Sequence, residues 1–139
     1  MEIIASLNEL HRVVSSLTKI LPPNAIIFLR GDLASGKTTL TQAIAKNKGI
    51  KSEITSPTFS LQQCYGDDFF HYDLYRLGND EFMVMGLFEE FDKEGWHFVE
   101  WGSDELKNFL ENVGYNVAIV DIEPFEDKRV YNIKYIPCP

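Results

Sequence analysis

Apolar residues recur along this chain first with the period of a helix and then in short unbroken runs. Leu7, Leu10, Val13, Val14 and Leu17 fall on one face of a 3.6-residue repeat, which predicts an amphipathic helix over 7–20. Ser6 followed by Glu9 reads as a capping box at its start, and Pro22-Pro23 stops it. The run Ala25-Ile26-Ile27-Phe28-Leu29-Arg30 has no polar alternation before its last residue, the pattern of a strand covered on both faces. A second helix is predicted over 39–46, with Leu40, Ala43 and Ile44 on one face, Lys46 and Lys48 near its end and Gly49 as the residue that closes it. Strand-like segments at 59–65 and 69–75 flank Gly66-Asp67-Asp68 and predict a hairpin. Residues 81–91 read as a short helix broken at Gly86, and 96–100 as a second buried strand. Ser103 caps a helix running through 111. Segments 115–123 and 129–136 close the chain as a hairpin around Pro124-Phe125-Glu126-Asp127. This order predicts an α/β fold, one open mixed sheet flanked by helices, in a single domain over 1–139.

The 45% apolar content suits a packed core rather than a disordered chain. No run of eighteen apolar residues exists, so no membrane span is predicted. Met1-Glu2-Ile3-Ile4-Ala5-Ser6 lacks the basic stretch and apolar core of a signal peptide. Cys64 and Cys138 form neither a disulfide framework nor a metal-ligand spacing, and read as the thiols of a cytoplasmic protein. Net charge is −8, from 21 acids against 13 bases, with no cluster of Lys and Arg. Phosphate contacts dominate nucleic-acid affinity, so this balance argues against autonomous nucleic-acid binding. The acids between Asp80 and Glu111 form either a solvated face or a surface for a basic partner.

Chemistry enters at Gly31-Asp32-Leu33-Ala34-Ser35-Gly36-Lys37-Thr38, which fits G-x-x-x-x-G-K-[ST], a phosphate-binding P-loop. Two glycines let the backbone wrap a phosphate, with successive N–H groups turned inward as an anion nest. The Lys37 ammonium reaches the β- and γ-phosphates, and the Thr38 hydroxyl is placed for Mg²⁺. The following helix, entered through Thr39, turns its positive end to the same anion. A strand before the loop and a helix after it are the context this motif requires, so the fold predicted is P-loop NTPase-like.

A P-loop needs a further carboxylate to organise the metal, usually at the end of an apolar strand beside the P-loop strand. Two residues qualify. Glu100 ends His97-Phe98-Val99, and Asp73 ends Phe69-Phe70-His71-Tyr72. Strand C-termini in open α/β sheets face the ligand crevice, which favours a functional role over a surface acid for both.

The P-loop with Thr39, then Thr55-Ser56-Pro57-Thr58-Phe59, His71-Tyr72-Asp73-Leu74-Tyr75-Arg76 and Glu100-Trp101 occur in that order. The series closely resembles the TsaE family (also called YjeE), small bacterial ATPases needed for threonylcarbamoyladenosine modification of tRNA. The resemblance spans about 6–135. One departure is that the family often has Gly-Ala where this chain has Ala34-Ser35; both pairs are small. The resemblance implies ATP and Mg²⁺ as cofactors, with Asp32, Leu33, Ala34, Ser35, Gly36, Lys37, Thr38 and Thr39 around the nucleotide. It implies that Thr58 closes on the γ-phosphate and metal, that Asp73 orients the attacking water or the metal's water shell, and that Glu100 ligates Mg²⁺ where most P-loop enzymes use Asp. Trp101 falls at the nucleotide or partner face, or in the core. His71 is a packed histidine or a base. Arg76 pairs a carboxylate, reaches a phosphate or lies on the surface. The implied partners are the TsaD and TsaB proteins, with tRNA met only through that complex.

Three function classes compete: an Mg²⁺-dependent ATPase driving a partner complex, a small-molecule or nucleoside kinase, and a GTPase-like switch. A kinase needs an acceptor pocket and usually an Arg-rich lid, whereas Arg12, Arg30, Arg76 and Arg129 are widely spaced. Guanine recognition commonly uses N-K-x-D, which this chain lacks. The ATPase reading is therefore preferred. No Arg adjoins Ser56-Pro57-Thr58, so slow hydrolysis by the chain alone and stimulation by a partner are expected.

Overall fold

In a computed structural model of the protein, describing residues 1–32, 36–50, 62–64, 68–74 and 87–135, the unbroken apolar run forms β2 (Ala25–Arg30) at the centre of a seven-stranded sheet. Parallel partners lie on both sides of it: β5 (Trp96–Glu100) on one and β6 (Val117–Phe125) on the other. Beyond β5 lies parallel β4 (Phe69–Asp73), edged by antiparallel β3 (Gln62–Cys64). Beyond β6, antiparallel β7 (Lys128–Tyr135) pairs with β1 (Glu2–Ala5). The fold is the open, mixed α/β sheet that the order of elements predicts.

Burial on both faces explains the sequence of β2. Ile27 and Leu29 point to the side covered by α1 (Leu10–Ile20) and α2 (Lys37–Asn47), joining Leu17, Leu40 and Ile44. Ile26 and Phe28 point to the opposite side and pack with Leu106 and Leu110 of α3 (Asp104–Val113). Successive strand residues alternate faces, so a strand with no exposed face has no polar alternation. The same alternation sends Phe69, Phe98 and Trp96 to the α2 side and Phe70, Tyr72 and Val99 to the other. Ser103 caps α3 as predicted, its Oγ accepting from the Leu106 N–H at 3.1 Å.

Several boundaries differ from the sequence reading. Residues 2–5, read only for the absence of a leader, form β1, because Ile3 and Ala5 alternate inward against β7 while Ile4 faces out. The helix predicted from residue 7 begins with a 3-10 turn at Leu7–Glu9, and Leu7 leaves the stripe, being 62% exposed. The Glu9 carboxylate accepts from the Ser6 N–H at 3.0 Å, as the capping box requires. The second helix starts at Lys37 rather than 39. The closing hairpin keeps Pro124 and Phe125 within β6, opposite Arg129 and Lys128, so its turn is only Glu126-Asp127. Of the helix predicted over 81–91, the described part, Leu87–Asp92, is 3-10 in form; 81–86 lies outside the described residues. Among the described residues, no helix is long and apolar enough to cross a membrane.

Candidate active site

The carboxyl ends of β2, β5 and β4 meet the start of α2, and the site assembles there. β2 leads through Gly31 toward the loop, and Gly36 at the N-cap of α2 has φ +100°. That left-handed conformation suits glycine alone among the common residues. Lys37 follows as the first helical residue and is 4% exposed. Its ammonium donates to the Gly31 carbonyl at 2.6 Å and the Asp32 carbonyl at 3.5 Å, and lies 3.7 Å from the centre of the Trp101 ring. Burial pulls this lysine below its ordinary pKa, against the opposing attraction of Glu100, Asp73 and Asp32.

Glu100 and Asp73 are register partners on parallel β5 and β4, so both carboxylates fall on the α2 side of the sheet. Glu100 is 4% exposed and Asp73 is half-buried. The Thr38 hydroxyl donates to Glu100 Oε2 at 3.2 Å, and His71 Nε2 contacts the same oxygen. His71 is fully buried on β4, two residues before Asp73. His71 is thus packed in the sheet, with its ring against the Glu100 carboxylate.

Trp101 sits just past β5 with φ +64°, an uncommon backbone for a residue with a side chain. A Cβ on the next residue, Gly102, would fall 2.5 Å from Phe28 Cε2, so the chain must turn closely over the core here. This turn lays the indole beneath Lys37, half-buried at the carboxyl edge of the sheet rather than in the core. Thr39 is half-buried in the first turn of α2, and Asp32 is exposed. Leu33, Ala34, Ser35, Thr58 and Arg76 lie outside the described residues. The acids of 87–111, Glu100 apart, are exposed or half-buried, and some pair locally: Glu90 with Lys93 at 2.9 Å and Glu111 with Lys107 at 2.7 Å.

Two features escaped the sequence reading. One is the ordering of Glu100 by His71, which depends on which strand lies beside β5. The other is Arg129, whose guanidinium packs on Gly36: a Cβ there would lie 2.3 Å from Arg129 Nη1. β7 runs antiparallel to β6 and so begins at the edge of the sheet where β6 ends. The closing hairpin therefore carried a signal for Arg129.

A hard, all-oxygen donor pair of hydroxyl and carboxylate at 3.2 Å suits Mg²⁺, which takes one or two protein ligands and completes its shell with phosphate and water. Among the described residues no group of three or more His, Cys, Asp or Glu stands ready as an all-protein metal cage.

The sheet order and the strand–loop–helix unit define a P-loop-type α/β fold. The crystal structure of YdiB from Bacillus subtilis superposes on it with a TM-score of 0.70 at 24% identity, covering 100% of this chain and 86% of that one. The family model for the threonylcarbamoyl adenosine biosynthesis protein TsaE matches residues 4–130, and the chain belongs to this family. The TsaE protein of Haemophilus influenzae is 34% identical over 115 residues, 80% of this chain and 69% of that protein. That of Rickettsia felis is 35% identical over 139 residues, covering 96% and 78%, and that of Rickettsia typhi 33% over 140 residues, covering 96% and 94%. Membership places the protein in tRNA threonylcarbamoyladenosine biosynthesis.

Proposed function

We propose that this protein binds and hydrolyses ATP with Mg²⁺, and that hydrolysis supports the TsaB–TsaD pair in threonylcarbamoyladenosine modification of tRNA. The observation carrying the reading is the convergence of Lys37, Thr38 and Glu100 at the carboxyl edge of the sheet. Lys37 supplies a cation with little water around it, where charge-assisted contacts to phosphate are strongest. Mg²⁺, when bound, would neutralise charge on the β- and γ-phosphates, with Thr38 and Glu100 as its protein ligands. His71 fixes the direction of the Glu100 carboxylate, and Asp73 beside it is the group for orienting water.

The test is phosphate release from ATP and GTP, with Mg²⁺ or with EDTA, alone and with the TsaB–TsaD pair. Slow, Mg²⁺-dependent release from ATP that rises several-fold with the pair is the expected result. Vigorous turnover indifferent to the pair would overturn the partner role. Transfer of the phosphoryl group to an added nucleoside or small molecule instead of water would establish a kinase.

A further inference from the structure

α3 is amphipathic, but its outer face is not wholly polar. Leu106 and Leu110 turn inward and are buried with Ile26 and Phe28, the contact the fold requires of this helix. Phe109 and Val113 stand one turn apart on the row beside them and remain 37% and 58% exposed. A lone exposed apolar residue is ordinary, whereas two at this spacing form a continuous ridge. The ridge is held at both ends. The Ser103 hydroxyl caps the first turn, Gly114 closes the last with φ +108°, and Asp104 pairs with Arg30 of β2 at 2.6 Å. A helix fixed in this way loses little freedom when a partner covers it.

Charge decides what kind of partner fits. The same side of the sheet carries the 3-10 segment Leu87–Asp92, which shares a core cluster with α3 through Phe91 and accepts the Tyr115 hydroxyl on Asp92. Residues 87–94 contain four acids and 103–113 three, against Lys93 and Lys107 alone, so these two segments hold a net −5 (seven acids less two bases) of the chain's −8. Both lysines are engaged in ion pairs, with Glu90 at 2.9 Å and Glu111 at 2.7 Å. α1 and α2, across the sheet, contain no acid and carry Arg12, Lys19, Lys37 and Lys46. Anionic RNA and anionic membranes are repelled by an acidic rim. A second copy of the chain offers it opposite charge only from the α1–α2 side, a head-to-tail contact that does not close into a pair. What the face matches is a protein surface with an apolar pocket among lysines and arginines.

We propose that the outer face of α3 is a docking surface for a basic protein partner, with Phe109 and Val113 as its anchors and the surrounding acids as its rim. The inference rests on the partner reading above and gives that partner a place and a chemistry on this chain. Anchors at the centre of an interface carry most of its affinity, while rim charges set the rate of encounter and its dependence on salt.

The TsaB–TsaD pair is the probe. Its binding is measured by biolayer interferometry at low and at high salt, to the wild type, to Phe109→Ala/Val113→Ser and to Glu94→Lys/Glu105→Lys. ATP affinity without the pair and melting temperature are measured for each protein. Loss of two anchors predicts about 10- to 100-fold weaker binding of the pair by the first variant. The second variant binds the pair more slowly at low salt and loses most of the salt dependence of the wild type. Both keep wild-type ATP affinity. Wild-type binding of the pair by both variants overturns the proposal, as does wild-type binding that strengthens with salt. If the first variant melts below the wild type, the second, changed only at exposed positions, decides in the same way. Self-association of the wild type that the first variant loses assigns the face to a second copy and also overturns the proposal. A wild type that does not bind the pair defeats the partner reading itself. Equal, tight binding by the wild type and both variants leaves that reading standing and defeats only the face.

Discussion

Replacing Glu100 by Ala and by Gln separates its place in the fold from its place in the chemistry. The carboxylate is 4% exposed, receives the Thr38 hydroxyl at 3.2 Å and contacts His71 Nε2. His71 is itself fully buried, and its Nδ1 has no partner. Alanine removes the acceptor from two donors in a place with little water. Each group left unsatisfied costs about 1–3 kcal/mol, partly offset because a buried charge also disappears, so Glu100→Ala loses about 2–4 kcal/mol. For a domain of this size that is a fall in melting temperature of about 6–15 °C. Glutamine keeps an acceptor oxygen at the same reach and loses only the charge, so its melting temperature falls by less than about 4 °C. Both variants lose the carboxylate that would order the metal, and both fall about 10²-fold or more in phosphate release from ATP, with a smaller loss of nucleotide affinity. The assays are scanning calorimetry without ligand and single-turnover phosphate release. Wild-type hydrolysis by Glu100→Gln would refute the carboxylate's role in the chemistry. Equal melting temperatures for the two variants would refute its role in satisfying His71 and Thr38.

Two further predictions concern titrating groups. Lys37→Met is expected to weaken ATP binding by about 100-fold or more while leaving the ligand-free protein at least as stable as the wild type, since a desolvated charge is removed. Lys37 titrates below its ordinary value in the fold, so between that lowered value and 10.5 the unfolded chain holds more protons and stability rises with pH; urea denaturation across the alkaline range should show this rise in the wild type and not in the variant, and parallel curves would refute it. His97 is also lowered, chiefly by burial; its Nε2–H donates to the Lys93 carbonyl at 2.8 Å and its Nδ1 accepts from the Tyr72 hydroxyl at 2.7 Å. Its neutral form contributes stability that is present above pH 6.5 and lost as pH falls from there through the lowered value. His97→Gln should therefore flatten the acid limb of a urea-stability profile, and an unchanged limb would assign that loss to carboxylates alone.

What could be read from the sequence was local. The P-loop is a run of consecutive residues, and its flanks announce a strand and a helix by their own periodicity. Glu100 and Asp73 could be placed because each ends an apolar run, and strand ends face the crevice. Sheet order was not legible, since β2 lies between β5 and β6 through pairings separated by some 70 to 90 residues in the chain. Whatever depends on that order was hidden with it, including His71 beside Glu100 and Arg129 against Gly36. Leu7 shows the opposite failure. It fits the helical period, but the chain enters α1 through a 3-10 turn, whose three-residue repeat rotates Leu7 away from the core. β1 was missed because four residues with only two facing inward give too short a pattern to register.

The resting contacts of Lys37 bear on how a nucleotide would be held. Its ammonium already has two carbonyl acceptors and an aromatic face, so taking up a phosphate is an exchange of partners rather than a gain of one. The net worth of such an exchange is a fraction of its gross strength. Affinity on this reading must come from several donors acting together, Lys37 and the end of α2 among them. The same exchange would lift the cation from Trp101, a residue held in a left-handed backbone that costs on the order of 1–3 kcal/mol wherever it occurs.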